Sequence, residues 1–91
     1  MNSETHSTLR LTQLRVRDEA IIVAVRATGG VPAELLRRLN EIGFLPGESV
    51  RILSRGLLGG SPLAVRVGTS TFALRKSEAQ CIEVRRGEHQ S

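Results

Sequence analysis

The side chains best suited to chemistry lie near the two ends of this sequence. The only two histidines, His6 and His89, each stand close to a carboxylate, Glu4 and Glu88 respectively. Imidazole and carboxylate groups bind ferrous iron and zinc, so these four residues are candidates for a weak or exposed divalent metal site. A catalytic histidine needs fixed geometry, which a polar chain end does not provide. We therefore expect no catalytic histidine and no required cofactor.

Cysteine chemistry is restricted to Cys81, which begins the apolar run CIEV. A single cysteine cannot form an internal disulfide, and we interpret this one as a small buried side chain rather than a nucleophile. The sequence has no CxxC pair, no HExxH motif and no GxxxxGK[ST] phosphate loop. These features predict a protein that is not an enzyme. The lack of an apolar signal segment and of disulfide pairs predicts a cytoplasmic location.

The sequence argues against nucleic acid partners and against direct insertion into a membrane. Thirteen basic and nine acidic residues leave a net charge of +4, but most arginines stand singly between apolar residues, as on the solvent side of strands. Phe44 and Phe72 are the only aromatic residues, so the chain cannot build a platform on which bases stack. No stretch approaches the ~20 apolar residues that span a bilayer.

Short apolar runs separated by glycine and proline predict one small, mainly β domain. The predicted strands are EAIIVAVRA from Glu19, a segment around Val50 and Ile52, LAVRV, TFALR and CIEV, with one helix inserted after the first. KSEAQ between the last two strands reads as a polar turn, and the leucines near residue 11 suggest a short turn beneath the core. Strands this short favour a curled sheet or barrel, since closure removes exposed edges.

The stretch LLRRLNEIGFLPGESVRIL, from Leu35 to Leu53, switches directly from helix to strand. Gly43 suits the position just beyond the helix, where a Schellman motif would bring Phe44 onto Leu39. LPGE at Leu45–Glu48 has proline and glycine at the central positions of a type II turn. The apolar residues that share one helix face are Leu35, Leu36, Leu39 and Ile42.

This stretch resembles the hallmark of the FeoA family, small cytoplasmic proteins of bacterial ferrous iron uptake. The similarity continues in PLAVRVGTSTFALRKSEAQCIEV, residues 62–84, and in LTQLRVRDEAIIVAV, residues 11–25. One departure is that Val16 and Arg17 occupy a turn where the family often has Pro-Gly or another glycine. The positions that match the family motif, which we interpret as structural, are Leu39, Gly43, Pro46, Gly47, Gly68, Ala73, Leu74 and Arg75.

The resemblance implies a mainly β fold, a small SH3-like barrel of five to six short strands with one inserted helix at about residues 33–42. The barrel would occupy residues 9–85, between polar tails at 1–8 and 86–91. The resemblance further implies a non-catalytic accessory protein that docks on the cytoplasmic GTP-binding part of the FeoB transporter and modulates it. We expect a monomer or a weak dimer that a metal ion can bridge.

Two points stay open at the level of sequence. The same barrel occurs as the C-terminal module of metal-dependent repressors, so a metal-sensing or nucleic-acid-associated module is the alternative function. The adjacent loop leucines at 57 and 58 are either exposed or folded back onto the barrel. The predicted partner-binding surface is the exposed side of the helix with its flanking loops, namely Arg37, Arg38, Glu41, Phe44, Leu57 and Leu58.

Overall fold

A computed structural model of the protein describes residues 8–27, 30–57 and 59–87. Its six strands form one antiparallel sheet in the order β1-β6-β2-β3-β4-β5. The mainly β architecture with an inserted helix is therefore confirmed. The elements in chain order are β1 (Leu9–Arg10), a 3₁₀ turn (Leu11–Gln13), β2 (Glu19–Val25), α1 (Ala33–Glu41), β3 (Ser49–Gly56), β4 (Gly60–Val67), β5 (Ser70–Leu74), α2 (Lys76–Ala79) and β6 (Ile82–Arg86).

Two elements differ from the expectation. KSEAQ forms the short helix α2 rather than a simple turn, because the Glu78 side chain accepts a hydrogen bond from the backbone N–H of Arg75 at 2.7 Å and closes the first helical turn. The short strand β1 pairs with β6 beside the 3₁₀ turn, whose Leu11 is fully buried beneath the core as predicted.

The core lies on one face of the curled sheet and is built from alternate strand residues. Ala20 and Ile22 of β2 are each 1% exposed, and Val50 and Ile52 of β3 are completely buried. This alternation follows from the period of two in a β-strand, which turns successive side chains to opposite faces. The remaining buried apolar residues are Leu11, Leu14, Leu39, Phe44, Leu63, Val65, Val67, Leu74, Ala79, Cys81, Ile82 and Val84.

The helix ends as the sequence predicts. Gly43 has a φ of +124°, and its N–H donates to the carbonyl of Asn40 at 3.1 Å. The N–H of Phe44 donates to the carbonyl of Leu39 at 3.0 Å. These two bonds are the pair that defines a Schellman motif, and glycine is favoured because other residues rarely adopt that φ.

The LPGE turn then fixes where β3 begins. Glu48 donates its N–H to the carbonyl of Leu45 at 3.0 Å, and Gly47 has a φ of +93°, as a type II turn requires. The turn is also held by β2, since Ile22 accepts a bond from Gly47 at 2.8 Å and donates one to Glu48 at 2.9 Å. The turn is therefore both encoded locally and attached to the sheet.

The departure at Arg17 is accommodated without glycine. Arg17 has a φ of +79°, the only positive φ of a non-glycine residue in the described part of the chain. Its N–H donates to the carbonyl of Ile52 at 2.7 Å, and Ile52 donates back to Asp18 at 3.0 Å. Asp18 also accepts a bond from the Arg15 N–H at 2.8 Å. These bonds hold Arg17 in the left-handed conformation that the family often assigns to glycine.

Candidate protein-binding surface

Helix α1 turns its charged residues outward and its leucines toward the sheet. Leu39 is 2% exposed, whereas Leu35 and Leu36 are half-buried against the core. Their spacing of three and four residues keeps them on one helix face, so the opposite face is left to polar side chains. The exposed polar residues of the helix are Glu34, Arg37, Arg38, Asn40 and Glu41.

Two apolar side chains that sequence reasoning did not assign to the surface are exposed at and just after the end of the helix. Ile42 is 37% exposed and Leu45 is 45% exposed. Helical spacing placed Ile42 on the buried face, but the helix ends at this residue and leaves more than a third of the side chain uncovered. Leu45 begins the LPGE turn, and turns lie at the surface, so its position in the motif was the available signal. We call Arg37, Arg38, Glu41, Ile42 and Leu45 the α1 patch.

Phe44 does not belong to this patch, and its assignment to the partner-binding surface is wrong. The Phe44 side chain is completely buried, and its ring centroid lies 5.5 Å from that of Phe72, with the two rings tilted by 50°. The reason is the Schellman motif, which folds the chain back and brings Phe44 beneath the helix. Phe44 therefore fixes the end of α1 from inside the core.

Leu57 is fully exposed at the β3–β4 hairpin, and Leu58 lies outside the described residues. Of the two interpretations of Leu57, exposure is therefore the one observed. The α1 patch precedes Ser49, the first residue of β3, whereas Leu57 follows Gly56, the last residue of the same strand. The two ends of β3 are seven residue steps apart, which at about 3.3 Å per step is roughly 23 Å. The predicted surface is thus divided between the α1 patch and the hairpin tip.

A groove of about 430 Å³ separates α1 from the connection between β5 and α2. On the helix side it is lined by Leu35, Arg38 and Ile42, so it adjoins the α1 patch. On the other side two motif positions, Ala73 and Arg75, are exposed in it, whereas their neighbour Leu74 is buried. Ala73 and Arg75 are therefore available to a partner as well as being part of the fold.

Two carboxylates on the barrel have clear structural partners. A hydrogen bond from the Arg15 backbone N–H lowers the pKa of Asp18, and the Arg86 guanidinium at 3.1 Å lowers it further. The hydroxyl of Thr8 lowers the pKa of Glu83, as does Arg26 at 2.6 Å. These contacts join β6 to the rest of the sheet, so both carboxylates have a structural role.

Residues suited to metal binding do not assemble within the described ranges. There, no group of three or more His, Cys, Asp and Glu side chains could hold a metal ion. The candidate ligands Glu4, His6, Glu88 and His89 lie outside those ranges and stay a prediction. Cys81 is completely buried, as expected, and its Sγ lies 3.5 Å from the carbonyl oxygen of Ser77.

Neither helix in the part of the chain that the structure describes is both long enough and apolar enough to cross a bilayer.

The sequence profile of the FeoA domain matches residues 9–86, which include every described strand and helix. The chain belongs to the FeoA family. Zinc-bound FeoA of Stenotrophomonas maltophilia is 41% identical, with 84% of this chain and 88% of that one aligned and a TM-score of 0.73. That protein is described as a prokaryotic SH3 domain protein and a candidate ferrous iron transport activating factor. The predicted SH3-like fold is confirmed.

Other solved structures show how widely the fold is shared. Iron(II) transport protein A of Clostridium thermocellum is 33% identical, over 86% of this FeoA-family chain and 45% of its own, with a TM-score of 0.73. A manganese-dependent transcriptional repressor is 23% identical, over 87% of this chain and 41% of its own, with a TM-score of 0.73. At that identity the repressor shares the fold alone. No curated protein matches the chain.

Proposed function

We propose that this FeoA-family protein is a non-catalytic accessory of bacterial ferrous iron uptake, which docks on the cytoplasmic GTP-binding part of the FeoB transporter and modulates it. The observation that carries the proposal is the α1 patch, where exposed Ile42 lines one surface pocket together with Arg37, Arg38 and Glu41, and exposed Leu45 follows three residues later in the chain. Apolar side chains surrounded by charges are typical of the centre and rim of a protein interface. Family membership supports the connection to ferrous iron transport.

The structure around the patch suits rigid docking. The Schellman bonds to Asn40 and Leu39 and the LPGE turn on β2 hold both ends of the patch in one conformation. A preformed surface loses little conformational entropy when it binds, which favours affinity. The guanidinium groups of Arg37 and Arg38 are available to steer an acidic partner surface into contact. We expect Leu57, far from the patch, to contribute less.

Binding of the purified FeoB cytoplasmic domain, measured calorimetrically without nucleotide and with GDP or a GTP analogue, tests this proposal. We expect Arg37→Glu/Arg38→Glu to weaken binding at least tenfold, because two cations near the contact become anions. Arg51→Glu/Arg66→Glu makes the same change in net charge on neighbouring strands β3 and β4, and should alter affinity by less than threefold. Far-UV circular dichroism and thermal unfolding would check that both variants fold.

The outcomes separate the surface from the partner. If the α1 variant binds as tightly as the wild type, the α1 patch is not the docking surface. If the wild type binds the FeoB domain in no nucleotide state, direct docking on that domain is wrong.

A further inference from the structure

One edge of β5 presents backbone groups that no described strand pairs with. Val67 and Ser70 flank a two-residue turn, so they form a hydrogen-bonded pair of the β4–β5 hairpin. Hydrogen-bonded and non-hydrogen-bonded pairs alternate along an antiparallel hairpin. Phe72 therefore also forms backbone hydrogen bonds to β4, whereas Thr71 and Ala73 direct their N–H and C=O groups away from β4. Within the described ranges, no residue forms a hydrogen bond to those outward groups.

This edge also lacks the features that usually prevent strand addition. Proteins protect edge strands with charged side chains, proline, bulges or very short length. The opposite edge strand, β1, has two residues and includes Arg10. In contrast, β5 is STFAL, five residues without a charge or a proline, and its pairing with β4 has no register shift. The β5 edge is therefore open to another strand.

The groove beside this edge has a defined chemical character. Ala73 of the edge faces the groove, together with the partly apolar wall that Leu35 and Ile42 provide. Arg38 and Arg75 supply two positive charges to its lining, and Glu78 supplies one negative charge. The two positive charges exceed the one negative charge, so the groove best complements an acidic occupant.

We propose that the β5 edge and this groove bind an extended, acidic segment of the partner protein as an additional antiparallel or parallel strand. The segment's backbone pairs with Thr71 and Ala73. An apolar side chain contacts Leu35 and Ile42, and a carboxylate on the same segment contacts Arg38 or Arg75. Strand addition obtains affinity from main-chain hydrogen bonds and specificity from alternate side chains, which matches this combination of edge and groove.

Charge distinguishes this occupant from a second copy of the chain. A second β5 edge is STFAL, which carries no carboxylate to pair with the Arg38 and Arg75 side chains that line the groove. An acidic segment instead neutralises them. The inference rests on the proposed docking function, because it specifies how part of the partner is held beside the α1 patch.

Amide hydrogen exchange of the ¹⁵N-labelled full chain tests the proposal with two probes. One is the purified FeoB cytoplasmic domain, and the other is a blocked peptide that alternates glutamate and valine over six residues. Binding of either should slow exchange at Thr71 and Ala73 at least tenfold, while Phe72, already bonded to β4, changes little. A matched lysine–valine peptide should bind at least tenfold more weakly, because its charges repel Arg38 and Arg75.

Two variants keep the test independent of folding problems. Ala73→Pro removes an edge donor at a position where an edge strand tolerates proline, and should weaken both probes about tenfold. Arg38→Glu leaves the backbone intact and should weaken the acidic peptide by a similar factor. The matched control Arg85→Glu, on β6 outside the groove lining and separated from β5 by three strands, should change peptide affinity by less than threefold.

The results distinguish this inference from the proposed function. FeoB binding without protection at Thr71 and Ala73, and unchanged in Ala73→Pro, would overturn the strand-addition inference and leave docking intact. Peptide binding that protects both amides, with no FeoB binding in any nucleotide state, would support the edge and remove the proposed partner. If neither probe protects the amides of Thr71 and Ala73, the inference is overturned. If their protection grows with protein concentration alone, the inference is also overturned, and a second copy of the chain is the occupant of the edge.

Discussion

Replacement of Gly56 by alanine tests how the end of β3 is packed. A Cβ at this residue would lie 2.5 Å from the carbonyl carbon of Ser61 and 2.7 Å from Cδ of Pro62, and closer still to the Ser61 carbonyl oxygen. Two of these three atoms belong to the backbone of the paired strand β4, so no side-chain rotation can relieve the clash. The strands must move apart at the point where β3 leads into exposed Leu57.

The expected cost follows from the size of this overlap. An ordinary carbon–carbon contact is about 3.5 Å or more, so the two backbones must separate by about 1 Å. Overpacking a well-packed site costs about 1–3 kcal/mol, and a shift of paired backbone belongs at the upper end, about 3 kcal/mol. In a domain of this size each kcal/mol lowers the Tm by roughly 4–8 °C. We therefore expect the Tm of Gly56→Ala to fall by about 12–24 °C.

Thermal and urea unfolding, followed by far-UV circular dichroism, would measure this effect. Gly87→Ala is the matched control, because a Cβ there meets no atom within 4 Å and the residue has no positive φ. Its free energy of unfolding should differ from the wild type by no more than about 0.5 kcal/mol. A Gly56→Ala protein whose Tm stays within about 3 °C of the wild type would refute the close approach of β3 and β4 at this point.

Two further predictions concern the same stability measurement. Arg17→Gly should raise the free energy of unfolding by about 0.5–1 kcal/mol, because glycine adopts a φ of +79° without the steric cost of about 1–2 kcal/mol that arginine has, less about 0.5–1 kcal/mol for its greater freedom in the unfolded chain. A lower free energy of unfolding, measured with urea, would contradict this account. The pKa values of Asp18 and Glu83 in the folded protein lie below their ordinary values of 3.8 and 4.5. The unfolded chain therefore binds more protons, so the stability from these groups is fully present above those ordinary values and is lost as the pH falls through the lower folded pKa values. Urea titrations between pH 2 and 7 should show that the free energy of unfolding decreases as the pH falls, and the decrease should be smaller in Asp18→Asn and in Glu83→Gln than in the wild type. If both variants lose as much stability as the wild type, other carboxylates cause the loss.

Local sequence determined the features whose partners lie within a few residues. Gly43 and the LPGE turn specify the end of α1 and the start of β3, because a Schellman motif and a type II turn close over four to six residues. The alternation in β2 and β3 likewise identified Ile22, Val50 and Ile52 as core positions. The family motif, spread along most of the chain, identified the SH3-like fold that the structural comparisons confirm.

Only the tertiary structure decided which side chains of these elements are accessible. The Schellman motif folds Phe44 back toward Leu39, but its contact with Phe72, from a distant strand, depends on the whole fold. Ile42 is exposed although its helical spacing matches that of Leu39. Bonds from Ile52 and Asp18 across the sheet hold Arg17 in a conformation that its own type disfavours. The groove beside β5 likewise forms only because folding places α1, which begins at Ala33, next to the end of a strand that begins at Ser70. Caps and turns depend on neighbours in sequence, whereas burial and edge exposure depend on residues that folding alone brings together.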